Sequence, residues 1–346
     1  MNPTTWSILI SSLATGTIIT LSSYHWLLAW IGLELNTMAI LPIMAKLHHP
    51  RATEAATKYF LTQACASAMI MFSSTLNAWT TGQWTITQLQ NPQSVLLFTM
   101  ATAMKLGLVP VHFWFPEVMQ GSTITNALII STWQKLAPLS LLYLTTNHLN
   151  LPVLMTLSLL STTIAGITGL NQTQTRKIMA YSSIAHMGWL TMALALNQNL
   201  TLFTMTLYIM MTISMFTTLM YSTSKTMTDL GLAWSNSPTQ LTLMMLILLS
   251  LAGLPPLSGF APKWLILKEM TEMKLLTLAT AMALLTLPSL FFYLRLTYLA
   301  IMTMAPTPTT TQYKWRLKPK YQKMTQMIIP STMLLPIIPI IQNLTE

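Results

Sequence analysis

A succession of long apolar segments constrains the fold of this sequence more than any other feature. Proline, asparagine, glycine or a charged residue bounds each of eleven such segments: 3–22, 24–45, 57–78, 94–114, 122–145, 151–170, 178–197, 200–222, 240–262, 275–300 and 324–343. A membrane-spanning helix needs roughly 20 mostly apolar residues. Only 7% of the residues are charged, whereas a soluble domain has about a quarter. The sequence therefore predicts an all-α polytopic membrane protein with about eleven transmembrane helices.

The distribution of lysine and arginine between the connecting segments predicts the orientation. An odd number of spans places the termini on opposite sides of the membrane, and basic residues favour the negative compartment. The side of the N-terminus receives eleven basic residues: Lys46, Arg51, Lys58, Arg176, Lys177, Lys225, Lys314, Arg316, Lys318, Lys320 and Lys323. The opposite side receives only Lys268 and Lys274. We therefore expect the N-terminus in the matrix or cytoplasm. The formal charge of +10 is explained by this distribution of basic residues and is not evidence for a nucleic-acid partner.

The basic cluster Lys314–Lys323 in the last connecting segment has two interpretations. It could bind anionic lipid, with cardiolipin as one candidate. It could also act only as a topological signal under the charge rule. The topological interpretation is favoured.

Glu34 is an acidic residue inside a predicted span, in the motif WIGLELNTMAILP at 30–42. A charge near the middle of the bilayer costs about 2.5–3.5 kcal/mol on insertion scales, so it should face a partner, water or the bundle interior. Burial favours the neutral form of a carboxyl or amine, and a nearby opposite charge favours the charged form. Glu34 is therefore expected to be buried, either in a structural ion pair or, as we favour, as a titrating group on a proton path.

Lys105 lies in the fourth predicted span, where Pro110 and Pro116 interrupt the apolar sequence. Each proline removes a backbone donor and predicts a broken helix. Irregular backbone at membrane depth is tolerated where protein or an aqueous cavity surrounds it, and it often marks transport sites. His112, beside the break, is either a proton relay or a hydrogen-bonded packing histidine.

Lys263 follows a second interruption, in the ninth span, within the motif LAGLPPLSGFAPKW at 251–264. The alternative to a proton-carrying role is a lysine that extends to the membrane interface. Lys135 lies near the middle of the fifth span, as a proton carrier or as an interhelical hydrogen-bond donor. Glu117 is expected at a helix end or the membrane interface in preference to a buried proton site, and Arg295 near the end of its helix. Tyrosine and tryptophan are expected mostly at membrane interfaces or in packing.

The two interruptions occupy matching places in an internal pattern. Helices 1–5 (1–145) and 6–10 (151–300) form two five-helix sets, each broken in its fourth helix, within a single membrane domain 1–346. An odd repeat length inverts the second set, as in inverted-repeat transporters. A basic loop (301–323) and a C-terminal helix (324–346) complete the chain. Glu34 then corresponds in position to His186, which we favour as a relay residue over a structural histidine.

Several classes of site are excluded by inspection. The sequence has no Gly-x-Gly-x-x-Gly fingerprint, no Walker loop and no His/Cys cluster with metal-ligand spacing. We therefore expect no nicotinamide, flavin, iron–sulfur cluster or metal to be bound by this chain.

A family resemblance rests on five motifs: WIGLELNTMAILP (30–42), MKLGLVPVHFWFPEV (104–118), TWQKLAPL (132–139), RKIMAYSSIAHMGW (176–189) and LAGLPPLSGFAPKW (251–264). Together they resemble the antiporter-like membrane-arm subunits of respiratory complex I, the NADH:ubiquinone oxidoreductase, which are related to Mrp-type cation/proton antiporters. The resemblance extends over nearly the whole chain and points to a vertebrate mitochondrial member. It implies a multi-pass protein of the mitochondrial inner membrane, with its N-terminus in the matrix and its C-terminus in the intermembrane space.

The same resemblance implies roles for four residues. Glu34 and Lys105 would form the proton-loading pair. Lys135 would connect along a central polar axis, and Lys263 would lie in the exit-side channel. His112 and His186 remain candidate relay residues on the basis of their own positions.

The function implied is proton translocation driven by NADH oxidation, as a core subunit of an H⁺-translocating NADH:ubiquinone reductase. NADH, FMN, iron–sulfur clusters and ubiquinone would be bound by other subunits, and no redox chemistry would occur within this chain. Its partners would be other membrane-arm subunits, including neighbouring antiporter-like subunits, and membrane lipids. Two alternatives stay open: a stand-alone ion/proton antiporter, and a non-pumping assembly scaffold of the same complex.

Overall fold

The computed structural model describes residues 2–45, 49–235, 237–302 and 325–337. These ranges contain fifteen α-helices: α1 (Pro3–Ser22), α2 (Trp26–Ala45), α3 (Pro50–Thr81), α4 (Pro92–Leu106), α5 (Trp114–Gly121), α6 (Ile124–Ser131), α7 (Leu136–Leu144), α8 (Leu151–Leu170), α9 (Thr175–Leu196), α10 (Gln198–Ser222), α11 (Met227–Ala233), α12 (Pro238–Ala252), α13 (Phe260–Glu272), α14 (Leu276–Thr297) and α15 (Thr325–Met333). Shorter helical turns lie at Trp133–Lys135, Thr146–His148, Tyr298–Met302 and Leu335–Ile337. The predicted all-α class is confirmed for this part of the chain.

Six helical segments are long and apolar enough to cross a membrane, counted over the described ranges: Pro3–Ser22, Trp26–Ala45, Ile124–Leu144, Leu151–Leu170, Gln198–Ser222 and Leu276–Met302. They coincide with six of the predicted spans. Helices α3 and α9 cover the predicted spans 57–78 and 178–197, but they do not meet the same criterion of hydropathy and charge. A polytopic membrane protein is thus supported, and the full number of eleven spans stays a prediction.

Three predicted spans are divided in the structure. The fourth consists of α4 and α5, and the ninth consists of α12 and α13, as the Gly- and Pro-rich motifs predicted. The fifth was expected to be continuous, but the turn Trp133–Lys135 separates α6 from α7. Pro138 has no N–H for the Gln134 carbonyl four residues earlier, which favours a tighter turn at this point.

Two predicted features fall wholly or partly outside the described residues. The basic cluster Lys314–Lys323 lies outside them, as does Lys46. The predicted last helix, 324–343, is represented by α15 and the turn Leu335–Ile337.

A short helix that the hydropathy pattern did not predict, α11, begins with a capping box. The Thr226 hydroxyl accepts from the Asp229 N–H, while Asp229 Oδ2 accepts from the N–H groups of Thr226 and Lys225 at 2.9 and 3.1 Å. The side chains of Thr226 and Asp229 thus accept hydrogen bonds from backbone N–H groups at the start of the helix, as in other capping boxes. They hold the pKa of the Asp229 carboxyl below its usual range, with the Thr226 N–H as the largest cause.

The first compact unit is Met1–Ser161, and its helices approach one another most closely where glycine is present. Helices α1 and α2 cross at Gly16 and Gly32, where a Cβ on Gly16 would lie 2.9 Å from the Gly32 carbonyl oxygen. Helix α3 packs against α2, α4 and α5, and a Cβ on Gly121 of α5 would lie 2.7 Å from the Arg51 carbonyl oxygen. Small residues allow such close packing of helices where water provides no driving force.

The second compact unit is Thr162–Glu346. In it α10 packs against α9, α12, α13 and α15, and α14 packs against α9, α12 and α13. Many side chains buried in both units are serine or threonine, such as Ser158, Ser214 and Ser250, whose hydroxyls donate to carbonyls one turn earlier. Large apolar side chains such as Ile18 and Leu284 are more than half exposed, at 61% and 64%, as expected for a surface in contact with lipid or other membrane subunits.

Candidate functional site

Lys105 lies in the last turn of α4, immediately before the first interruption. Gly107 adopts the left-handed conformation with φ 75°. Its N–H donates to the Met104 carbonyl at 3.2 Å, and the Leu108 N–H donates to the Ala103 carbonyl at 2.9 Å. This is a Schellman termination, which glycine favours. The predicted break is therefore present, but the glycine ends the helix, whereas Pro116 lies in the first turn of α5 where no intrahelical donor is needed.

The Lys105 ammonium is buried, with 5% of the residue exposed. Its Nζ has no hydrogen-bond partner among the described residues. The Glu34 carboxylate is near enough to interact with it electrostatically. Within those residues no nitrogen–oxygen distance of 4.0 Å or less joins the two groups. Lys105 and Glu34 thus interact electrostatically without forming a direct ion pair.

Glu34 lies in α2 and is half-buried, whereas the sequence led us to expect full burial. The Thr37 hydroxyl, one turn later, donates to Glu34 Oε2 at 3.0 Å and also contacts the Glu34 carbonyl oxygen at 2.9 Å. The neighbouring Asn36 side chain is buried, and neither of its polar atoms has a partner in the described part of the chain. Periodicity could not predict the exposed edge of Glu34, because α2 is apolar on all sides.

Lys135 lies at the end of the short turn that separates α6 from α7, and only 2% of it is exposed. Its Nζ lies 4.8 Å from the centroid of the Phe115 ring. An aromatic face attracts a cation at such a distance, most strongly where water is excluded. Lys135 is therefore held in the interior of the first unit in part by an aromatic ring of α5.

His112 lies in the connection between α4 and α5 and is buried, with 2% exposure. Its ring lies 4.3 Å from that of Phe113, and its Nδ1 has no hydrogen-bond partner within the described residues. The structure therefore places the histidine beside the break, as predicted. Its role as a relay stays a prediction.

Lys263 lies in the first turn of α13, after the second interruption. Helix α12 ends at Gly253, with φ 82°, whose N–H donates to the Ser250 carbonyl at 3.0 Å, while the Leu254 N–H donates to the Leu249 carbonyl at 3.3 Å. The Lys263 Nζ donates to the Ala252 carbonyl at 2.8 Å. The ammonium thus caps the C-terminus of α12, where a helix dipole favours a positive charge.

His186 lies in α9 within a group of polar side chains contributed by three helices of the second unit. Its Nε2 is 3.5 Å from the Tyr293 hydroxyl of α14, and its ring centroid is 5.7 Å from that of Tyr208 in α10. Both tyrosines are buried, with 1% and 2% exposure. Neither tyrosine was predicted as a candidate site residue, because tyrosine is expected mainly at membrane interfaces and in packing. The sequence feature that could have identified them is a tyrosine inside a predicted span. Only the tertiary structure shows that both tyrosines lie next to His186.

The charges at the ends of α5 and α14 make contacts of ordinary structural kinds. Lys58 Nζ lies 2.7 Å from Glu117 Oε2 and 2.6 Å from Glu54 Oε1, and all three side chains are largely exposed. The hydrogen bond from Lys58 holds the pKa of Glu54 below its usual range. The Arg295 guanidinium donates to the Leu170 carbonyl at 2.7 Å. Glu117 and Arg295 therefore lie at helix ends, as expected.

No group of three or more His, Cys, Asp or Glu side chains could hold a metal ion within the described residues. Of the candidate residues, Glu34, Lys105, His112 and Lys135 lie in the first unit, and His186 and Lys263 lie in the second.

Two family models match the sequence and together cover most of it. The model for NADH:quinone oxidoreductase/Mrp antiporter transmembrane proteins matches residues 23–288. The model for the NADH dehydrogenase subunit 2 C-terminus matches residues 290–342. The chain belongs to the NADH:quinone oxidoreductase/Mrp antiporter family. The family resemblance drawn from the five motifs is confirmed.

Vertebrate members of this family are similar to the chain over its whole length. The chain is 51% identical over 342 residues to NADH-ubiquinone oxidoreductase chain 2 of Anas capensis, covering 99% of each. It is 52% identical to the protein of the same name from Struthio camelus, again over 99% of each. It is 51% identical to that of Xenopus laevis, over 98% of this chain and 99% of the relative.

Solved structures related to the family have the same fold. A chain of respiratory complex I from Thermus thermophilus with bound Aureothin is 26% identical, with a TM-score of 0.80 over 96% of this chain and 79% of that one. A chain of the Mrp complex from Dietzia sp. DQ12-45-1b has a TM-score of 0.75 and 17% identity, over 87% of this chain and 61% of that one. The second likeness concerns the fold alone.

Proposed function

We propose that this chain is a proton-translocating subunit of an NADH:quinone oxidoreductase of the complex I type. Relatives that carry the name of chain 2 of this enzyme are 51–52% identical over nearly the full length of the chain. The observation that carries the proton-transfer role is Lys105, a buried lysine without a hydrogen-bond partner among the described residues, next to an interrupted helix. An ionisable residue inside a membrane protein is most often functional.

In the first unit, Glu34, Lys105 and Lys135 carry the proton. Lys105 and Glu34 interact electrostatically without direct contact, so a small change in their separation or hydration changes the charge state that each favours. Lys135 receives the proton further along, beside the Phe115 ring. Moving one charge against about 100 mV costs about 2.3 kcal/mol. Changes in the pairing of buried charges are of this magnitude.

In the second unit, Lys263 and His186 continue the transfer, and His112 is a further relay candidate in the first. The Tyr293 hydroxyl next to His186 supports a relay, because it provides a group that can both donate and accept a proton. The Lys263 ammonium bonds to a helix-terminal carbonyl, which supports a site where a charged form is stabilised until the proton leaves.

The energy for transfer comes from NADH oxidation by quinone on other subunits. NADH, FMN, iron–sulfur clusters and ubiquinone are assigned to those subunits, and this chain performs no redox step. Its partners are other membrane-arm subunits, including neighbouring antiporter-like subunits. Membrane lipids are further partners, with cardiolipin as a candidate ligand of the basic cluster Lys314–Lys323.

The topology that we propose has eleven spans in two inverted five-helix repeats, 1–145 and 151–300, followed by a basic loop (301–323) and a C-terminal helix (324–346). Matching helix terminations at Gly107 and Gly253 support the repeat. The distribution of lysine and arginine supports an N-terminus in the matrix and a C-terminus in the intermembrane space of the mitochondrial inner membrane.

The test replaces Lys105 by methionine in the assembled complex, reconstituted in proteoliposomes. We expect NADH oxidation, measured in the presence of an uncoupler, to continue. The number of protons pumped per NADH, measured without the uncoupler, should fall. Lys268→Met is the matched control, because Lys268 has a largely exposed side chain and should leave the ratio unchanged. An unchanged ratio in Lys105→Met, with assembly intact, would support the scaffold alternative. Proton flux driven by a sodium gradient through the isolated chain would support the antiporter alternative.

A further inference from the structure

Two adjacent aromatic residues in the first turn of α5, Trp114 and Phe115, lie beside two buried lysines. Trp114 donates from its indole Nε1 to the Met104 carbonyl at 3.1 Å, on the residue before Lys105. The ring of Phe115, the next residue, lies 4.8 Å from the Lys135 Nζ. One turn of helix therefore contacts the backbone beside one buried lysine and the head group of another.

The Phe115 ring is enclosed on all sides. Its exposed fraction is 1%, and that of Lys135 is 2%, so neither group contacts bulk solvent to any extent. The ring also packs against the helix termination, since a Cβ on Gly107 would lie 3.4 Å from the Phe115 Cβ. The negative face of an aromatic ring attracts a cation most strongly where water is excluded.

Helix α3 fixes the turn from the opposite side. The Tyr59 and Trp114 rings form an edge-to-face contact at 5.7 Å between centroids. One helical turn further on, Glu117 pairs with Lys58 at 2.7 Å. The close approach of Gly121 to the Arg51 carbonyl completes the contact between α5 and α3. Three contacts with α3 thus hold α5, the helix that carries Phe115, independently of the ring's own contact with Lys135.

We propose that Phe115 is a positioning residue for proton transfer, which holds the ammonium of Lys135 against its ring while Trp114 fixes that ring relative to the turn that carries Lys105. The attraction acts on the charged lysine only, since a neutral amine has no net charge for the ring to attract. The contact is therefore stronger when Lys135 carries a proton and weaker after it has released one. This inference rests on the proposed function, because it assigns Phe115 a role only if Lys135 carries protons.

The test compares variants of the assembled complex in proteoliposomes by the rate of proton uptake relative to NADH oxidation. Phe115→Leu and Phe115→Met remove the ring and keep an apolar side chain, and each should lower this quotient by more than about twofold, because the attraction of the ring for the charged lysine is lost at a site without water. Phe115→Tyr keeps the ring and should retain the quotient within about twofold, since the face of the ring is preserved. The matched control is Phe98→Leu, because Phe98 is equally buried and packs edge-to-face on Trp26 at 5.2 Å.

A double variant separates an effect through Lys135 from a general loss of packing. Phe115→Leu combined with Lys135→Met should pump no less than Lys135→Met alone. An unchanged quotient in Phe115→Leu, a further fall in the double variant, an equal fall in Phe98→Leu, or loss of assembly in both the leucine and methionine variants would each overturn the inference. If Lys135→Met itself pumps normally, the proposed role of Lys135 fails as well, so the two failures are distinguishable.

Discussion

The two interrupted helices have the same backbone plan. Each N-terminal half ends in a Schellman termination at a left-handed glycine, Gly107 in one and Gly253 in the other. In both, the second half begins seven residues after that glycine, at Trp114 and at Phe260. Pro116 and Pro262 also follow their glycines by the same nine residues. The local sequence thus specifies one device twice.

The side chains that close the two interruptions differ. In the first, a neutral indole N–H of Trp114 donates to the end of α4, and the Lys105 Nζ makes no hydrogen bond among the described residues. In the second, the ammonium of Lys263 donates to the end of α12. Glu117, at the position equivalent to Lys263, points to an exposed ion pair. The same backbone therefore leaves the Lys105 ammonium outside the helix cap and makes the Lys263 ammonium part of one.

The segments that connect the two helices of each interruption also differ in how closely they pack against neighbouring backbone. A substitution at Gly259, in the second of them, should have the largest effect on stability. A Cβ at this residue would overlap the backbone carbonyl oxygen of Ser250. Because the obstacle is backbone, Gly259→Ala should destabilise the subunit by about 3 kcal/mol or more. The measurement is the yield and thermal stability of the assembled complex. The equivalent residue of the first interruption, Phe113, is 71% exposed, and Phe113→Ala is the control. Equal losses in the two variants would contradict this difference.

Replacing the capping lysine should have the next largest effect. Lys263→Met removes the donor to the Ala252 carbonyl and should lower stability by about 2 kcal/mol, as for a hydrogen bond from a charged group. Lys263→Arg keeps a cationic donor, and a guanidinium does not release its proton. The arginine variant should therefore keep its thermal stability and lose proton pumping. Retention of pumping by Lys263→Arg would show that capping is the whole role of this residue. Glu117→Gln, at the equivalent position, should change neither property measurably.

The hydrogen bond from the Trp114 indole to the end of α4 should contribute less to stability than the hydrogen bond from Lys263 to the end of α12. Trp114→Phe keeps an aromatic ring and removes the indole donor, while the Met104 carbonyl still accepts from the Gly107 N–H at 3.2 Å. A loss of about 1 kcal/mol is expected for one neutral hydrogen bond. Thermal denaturation of the assembled complex measures it. Trp79→Phe, at a residue that is 91% exposed, is the control and should have no effect. A loss as large as that of Lys263→Met would remove the distinction between the neutral and charged closures.

The sequence predicted the helices and the interruptions well, because both depend on local chemistry. Apolar segments of sufficient length and glycine–proline motifs were enough to locate α1, α8 and the break after Lys105. The sequence did not predict which residue ends each helix, since proline and glycine occur in the same motif.

Contacts between helices were the part that the sequence could not predict. The contact between His186 and Tyr293 depends on the orientation of α9 and α14 about their own axes. The contact between Lys135 and Phe115 depends in the same way on the orientation of the helical segments that carry them. In a soluble helix a polar face indicates that rotation, but membrane helices are apolar on most sides. The family resemblance pointed to Lys135, and only the structure shows that the Phe115 ring lies next to its ammonium.

Replacing Lys105 by methionine should change stability less than Gly259→Ala, Lys263→Met or Trp114→Phe, although only 5% of this lysine is exposed. Its Nζ has no hydrogen-bond partner in the described part of the chain, so the substitution leaves no buried acceptor without a donor. An apolar side chain of similar length often replaces a buried charge without loss of stability. We therefore expect Lys105→Met to stay within about 1 kcal/mol of the unmodified subunit in thermal denaturation, since mainly a loose attraction to Glu34 is lost. If Lys105→Met were less stable than Lys263→Met, the comparison would be reversed, because the lysine of the first interruption would then be the structural one.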